Sequence, residues 1–284
     1  MRTLTALADA WRKNGPEILG LCTGALPRFV TARRPRAHLG GVPVFSYHLV
    51  EPLELDSDLE FLAANGYSTL GTRELLEHLS GAGEPLQRAV MLTFDDGPRN
   101  FFDVAFPLLR RYGARAVAFI APGLHADTER DADARPMTWQ EIGAIHACGL
   151  VEFQSHTFES RSAARWPAPV PLAGCDPALE RRRRGAPRTW AEDLALSRRE
   201  IESRLAGAQV DQVAFPMYMG TPAAVEVARR LGFRACYWGL LLSGEFVQRL
   251  PGAGRASLRS LLHRRMRLIQ RARAWRRRFE PLHS

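Results

Sequence analysis

Apolar and polar positions follow two rhythms along this chain. Short, nearly continuous apolar runs have the length and the β-branched or aromatic content of buried strands: VPVFSYHLV from Val42, RAVMLTF from Arg88, ARAVAFI from Ala114, LVEFQ from Leu150, QVAFP from Gln212 and FRACYW from Phe233. Between them, residues 56–65, 72–80, 102–112, 139–147, 191–205 and 223–231 carry helical spacing, and YSTL at Tyr67 adds a short strand. Thr72 stands where a helix N-cap is expected. Strand followed by helix, repeated, predicts an α/β domain with a parallel sheet or barrel. In such folds the loops at the carboxyl ends of the strands converge on one face and carry the chemistry.

The rhythm divides the 284 residues into an N-terminal extension (1–41), a domain over 42–250 and a basic tail (251–284). No run reaches the ~18 uninterrupted apolar residues of a membrane span. The first twenty residues interrupt their apolar positions with charges, which argues against a cleaved secretory leader, so a cytoplasmic location is expected. Cys22, Cys148, Cys175 and Cys236 are widely spaced with no CxxC pair, as befits reduced thiols rather than a zinc ribbon or a disulfide scaffold.

Net charge is +9, but residues 255–278 hold ten arginines and no acid, so the rest of the chain stands near −1. A basic character confined to one tail, with no recognisable reading motif in the body, ranks nucleic-acid binding last, and no nucleic acid is expected as a partner. Residues 257–279 can form one helix with Leu258, Leu261, Leu262, Met266, Ile269 and Trp275 on one side and arginines around the remainder. Such a helix would either pack on the domain or lie on an anionic membrane surface, a peripheral contact through residues 255–279.

Candidate chemistry gathers at strand ends. Asp95-Asp96-Gly97-Pro98 closes the run RAVMLTF; it is good turn chemistry. Adjacent carboxylates there also suit a division of labour, one binding a cation and the other taking a proton from water. His156 follows the run LVEFQ and is placed to meet Asp96, and His48, after the first run, is a candidate neighbour of the same cavity.

Taken together, TFDDG at Thr93, SHT at Ser155, VPVFSYHLV upstream, GYSTL between them, and FPMYMG and CYWG downstream resemble the motif order of the polysaccharide deacetylase (NodB-like, carbohydrate esterase family 4) family over about Val42 to Gly239. The resemblance implies a distorted (β/α) barrel, here with an N-terminal extension and a C-terminal basic helix. It also implies a metal-dependent hydrolase that removes N-acetyl groups from an amino-sugar glycan or glycolipid. By this likeness Asp95 is the catalytic base, Asp96 and His156 are ligands of a divalent metal, zinc by preference, and an N-acetylated saccharide is the substrate.

The family's second ligand motif, His-Ser/Thr-x-x-His, reads His156-Thr157-Phe158-Glu159-Ser160 here, with Ser160 in place of the second imidazole. A hydroxyl is a poor zinc ligand. On a helical turn Glu159 or Ser160 would share the His156 face, so a Glu159 carboxylate, a water held by Ser160, or loss of the metal are the open alternatives. The last of these would leave a glycan-binding member without catalysis. By the same resemblance FPMYMG shapes the oxyanion and substrate region, with Pro216 and Tyr218 as candidate positions. Tyr237 and Trp238 of CYWG offer an aromatic wall for a sugar ring. The family's terminal Leu-x-His, source of the general acid, matches only Leu261-Leu262-His263 in the arginine-rich tail, so that role is unassigned.

Overall fold

The apolar runs pair side by side in chain order. The computed structural model describes residues 42, 44–80, 88–125, 136–160, 189–216, 220–237, 247–249 and 259–260. Its strands are β1 (Val44–Tyr47), β2 (Ser68–Thr69), β3 (Ala89–Asp95), β4 (Ala116–Ile120), β5 (Val151–Ser155), β6 (Gln212–Ala214), β7 (Ala235–Tyr237), β8 (Val247–Arg249) and β9 (Arg259–Ser260). They form one sheet in the order β8-β7-β6-β5-β4-β3-β1-β9, with β2 beside the start of β3. Every pairing is parallel except β7 with β8. The helices are α1 (Pro52–Ala64), α2 (Thr72–Ser80), α3 (Phe106–Tyr112), α4 (Trp139–Ala147), α5 (Trp190–Arg204) and α6 (Pro222–Arg230). A π-helical turn, Phe101–Ala105, leads into α3. Right-handed crossovers between strands that step one way across a sheet put their helices on one face, and the sheet curls into a half-barrel of the expected α/β class.

Side-chain alternation sorts the apolar residues of β1, β3, β4, β6 and β7 between two cores, and β5 faces only the first of them. Phe45, Tyr47, Leu92, Phe94, Ala118, Ile120, Phe153 and Val213 belong to the cluster that includes helix residues Leu55, Leu109, Ile142 and Leu194. Val44, Met91, Val117, Phe119, Ala214, Ala235 and Tyr237 form a second cluster with Leu75 and Leu76 of α2. Each fully buried Phe or Leu contributes roughly 1.5–3 kcal/mol by leaving water.

The helix starts are locally encoded. Thr138 and Glu141 form a reciprocal capping box on α4, and the hydroxyls of Thr189 and Thr221 accept from the main chain of Glu192 and Ala224. Thr72 departs from expectation: it is the first residue of α2, and its hydroxyl donates to Glu152 of β5. The basic tail departs too, because Arg259–Ser260 pairs as a strand with Val44 and Phe45 instead of continuing a helix from residue 257. The remainder of the tail and residues 1–41 lie outside the described residues.

Candidate active site

β3 ends at Asp95, whose side chain is on the face opposite Phe94. Strand geometry would send the next side chain the other way. Instead Asp96 adopts a left-handed backbone with φ 70°, a conformation Asp tolerates better than most residues. That twist keeps the two carboxylates together: Nε2 of His48 is 3.9 Å from Oδ2 of Asp95 and 3.8 Å from Oδ2 of Asp96. Gly97, also left-handed at φ 63°, completes the turn, so the Asp-Gly turn and the paired carboxylates are one feature.

The two aspartates have different surroundings. Asp95 is buried at 1% exposure and accepts a hydrogen bond of 3.0 Å from the Ser46 hydroxyl of β1. Asp96 is 43% exposed at its side chain; its Oδ1 lies 3.4 Å from Nε2 of the buried His156 and accepts from the Ser160 hydroxyl at 2.9 Å. Burial raises the Asp96 carboxyl, but the hydrogen bond and charge of His156, the charge of His48 and the Ser160 hydroxyl together carry it well below the usual carboxylate range. Asp96 is therefore held as an anion.

His156 caps β5, and its main-chain N–H donates to Ile120 of β4. The loop beyond it is not the helical turn on which Glu159 and Ser160 would share the His156 face: Thr157 and Ser160 both have positive φ, at 66° and 53°. For a β-branched residue such as Thr157 this is strained by about 1–3 kcal/mol. Neighbouring elements hold it there. The Phe158 N–H donates to buried Asp193 of α5, and the Phe158 carbonyl accepts from Gly123. The result still turns the Ser160 hydroxyl to Asp96, while Glu159 does not supply the missing carboxylate: among the described residues no group of three His, Cys, Asp or Glu side chains is arranged to hold a metal.

Two ligands on one tetrahedral ion, with bonds of about 2.0–2.1 Å, lie about 3.3–3.4 Å apart. The His156–Asp96 separation of 3.4 Å matches that spacing, and Ser160 offers a neutral oxygen beside it. The donor set fits a divalent cation at two strong positions and one weak one.

Of the remaining candidates, His48 belongs to this cluster and is 40% exposed at its side chain. Pro216 is buried just past β6, and as a proline it has no N–H to give an oxyanion, so it is not a donor. Tyr218 and Trp238 lie outside the described residues; Tyr237 is fully buried against Phe119, as core rather than a sugar platform. Sequence reasoning missed Ser46 and Asn100. The Asn100 amide accepts from the Val50 N–H at 2.8 Å and donates to the Val50 carbonyl at 3.2 Å, tying the loop that carries His48 to the loop after β3. Ser46 was legible: with Val44 and His48 it shares the period-two face that meets Asp95.

Comparison with known proteins bears on family and fold. Residues 82–236 match the profile of the family described as polysaccharide deacetylase. The chain is 31% identical over 152 residues to a poly-β-1,6-N-acetyl-D-glucosamine N-deacetylase of Escherichia coli K12, a match covering 45% of this chain and 22% of that protein. It is 25% identical over 116 residues to one of Staphylococcus aureus MRSA252, covering 41% and 39%. It thus spans well under half the length of these relatives. Among solved structures, IcaB from Ammonifex degensii superposes with a TM-score of 0.62 at 22% identity, covering 82% of this chain and 96% of that one. The Streptococcus pyogenes deacetylase PplD gives 0.57 at 20% identity, covering 81% and 97%. These two likenesses concern the fold.

Proposed function

The chain belongs to the polysaccharide deacetylase family, and from that premise we propose that it hydrolyses the N-acetyl amide of an amino-sugar residue in a glycan or glycolipid, releasing acetate and a free amine. The observation that carries this reading is the pairing of a buried, hydrogen-bonded Asp95 with an Asp96 held anionic beside His156. Because the E. coli and S. aureus relatives are named for poly-β-1,6-N-acetyl-D-glucosamine, β-1,6-linked N-acetylglucosamine oligomers are the first substrates to test. Mass spectrometry should record stepwise loss of acetyl groups; oligomers unchanged with metal-replete protein would reject the assignment.

In this mechanism Asp95 takes the proton of the attacking water, and the Ser46 hydroxyl fixes the orientation of its carboxylate. Asp96 and His156, with the Ser160 hydroxyl, would hold a divalent metal, zinc by the chemistry of the donors. When bound, that metal polarises the acetamide carbonyl and acidifies water. We assign the role of general acid to His48: partly exposed and within reach of both carboxylates, it donates a proton to the departing nitrogen as the C–N bond breaks.

An acid of this kind matters only when the leaving group needs a proton. His48→Gln should lower turnover of an N-acetylated oligomer by about 100-fold while leaving hydrolysis of an aryl acetate, whose phenolate leaves unprotonated, nearly unchanged. Equal losses on both substrates would remove His48 from this role.

A peripheral contact with an anionic lipid surface is proposed for residues 255–279. No helix among the described residues is long and apolar enough to cross a membrane. Three features support a surface contact. β9 runs parallel to β1 and so ends at the sheet edge where His48 and the aspartates lie. Leu49 and Leu53, which follow β1, are 63% and 84% exposed. The residues after β9 are rich in arginine. Cosedimentation with phosphatidylglycerol vesicles should fall with added salt and fall again when Arg264, Arg265, Arg267, Arg271 and Arg273 are changed to Gln. Undiminished binding by that variant would refute the contact.

A further inference from the structure

His125 takes no part in the chemistry above, yet it lies against the turn that carries both aspartates. It follows the 3-10 turn Pro122–Leu124 after β4, is 8% exposed, and packs edge-on to Trp139 with ring centroids 5.8 Å apart. Its Nδ1 is 2.7 Å from the Met137 carbonyl. A carbonyl only accepts, so Nδ1 carries the proton and Nε2 is a bare lone pair. The Met137 N–H in turn donates to the Gly97 carbonyl at 3.0 Å. Imidazole and Gly97 carbonyl are thus joined through the two peptide groups that flank the Met137 Cα, a link that ends one residue from Asp96. The ring also touches the turn directly: a Cβ added at Gly97 would stand 2.7 Å from its Cε1 and 3.0 Å from its Nε2.

We propose that His125 is a positioning residue for the Asp95–Asp96 turn, acting through the Met137 main chain to hold Asp96 in the left-handed conformation that brings its carboxylate to His156. The proposal rests on reading Asp95 and Asp96 as the reacting pair. Burial lowers the His125 ring to about 4 despite the Met137 bond and the Asp96 charge, so the proton arrangement this role needs is constant through neutral pH. The task demands histidine chemistry in part only. It needs a donor at the Nδ1 position and a flat ring edge against Gly97, and an aliphatic side chain would supply neither. Misplacing reacting groups by about 1 Å costs on the order of 100-fold in rate, and His125 acts on the geometry of the reacting pair rather than on a substrate contact, so the effect belongs in kcat rather than KM.

Asparagine and glutamine separate the two ring nitrogens, because the Asn amide nitrogen superposes on Nδ1 and the Gln amide on Nε2. In the full-length, metal-replete protein, His125→Ala should lose on the order of 100-fold in kcat with KM little changed. His125→Asn should recover most of that loss, and His125→Gln should not. Recovery by Gln rather than Asn would mean that Nε2 is the acting atom and would overturn the proposal. Wild-type kcat in His125→Ala would overturn it too, as would losses in all three variants that track thermal unfolding. Asp95→Asn measured alongside tells the two readings apart: if it turns over like wild type the reacting pair itself is misassigned, and if it is inactive while His125→Ala is normal only the positioning role fails.

Discussion

Asp95→Asn should lose about a thousandfold or more in acetate release from an N-acetylglucosamine oligomer while its folding stability barely moves. The side chain is buried and faces a hydroxyl, and Ser46 can donate to an amide oxygen or accept from an amide nitrogen, so the contact with β1 survives the isosteric change. What the amide lacks is basicity. A positioned base is worth about 10²–10⁴ in rate, and the neighbouring carboxylate does not replace it: Asp96 is kept anionic and weakly basic by His156, His48 and Ser160. Metal content should stay at the wild-type level, because Asp95 is not among the residues read as ligands. Acetate assay, metal analysis and a thermal unfolding curve on one preparation test all three expectations. Activity equal to wild type would remove Asp95 from the base role; metal loss in step with activity would make it a ligand instead.

The same site shows what a sequence can carry. Strand runs, their order and their two-residue alternation were readable, and alternation alone puts Val44, Ser46 and His48 on one face and Glu152, Gln154 and His156 on another, pointing the histidines at the end of β3. The left-handed turn at Asp96 was not readable, because DDGP describes a turn equally well whether or not its carboxylates stay together. Asn100 and His125 were also hidden. Their partners are main-chain groups of Val50 and Met137, brought close only by the sheet, and such contacts leave no residue pattern. Thr72 misled for a related reason: its hydroxyl suits an N-cap, but Glu152 across the barrel competes for it and wins. The same competition between local and long-range partners explains the tail, where Arg259 and Ser260 extend the open edge of β1 in place of starting a helix.

Ser160→His tests the departure that most separates this chain from its family's motif, and metal affinity should rise by at least about 100-fold. Changes to outer groups around a metal commonly alter affinity by about 10–100-fold, so a direct ligand should exceed that range. The backbone permits it: position 160 has φ 53°, a region in which histidine is among the better tolerated residues, and the wild-type hydroxyl already reaches Asp96 from there. A new imidazole would join Asp96 and His156 as the third protein ligand that open catalytic zinc sites normally have. Ser160→Ala provides the contrast. If the hydroxyl is only a weak donor, its removal should change zinc retention by a few-fold at most, because Asp96 and His156 still supply the strong positions. Competition against a chromogenic chelator reads both variants without any assay of turnover, and turnover at limiting zinc then shows whether occupancy restrains the wild-type enzyme. Zinc held no more tightly by Ser160→His than by wild type would show that the strained loop through Thr157 does not aim residue 160 at the ion, and that the pairing of Ser160 with Asp96 serves the carboxylate's orientation alone.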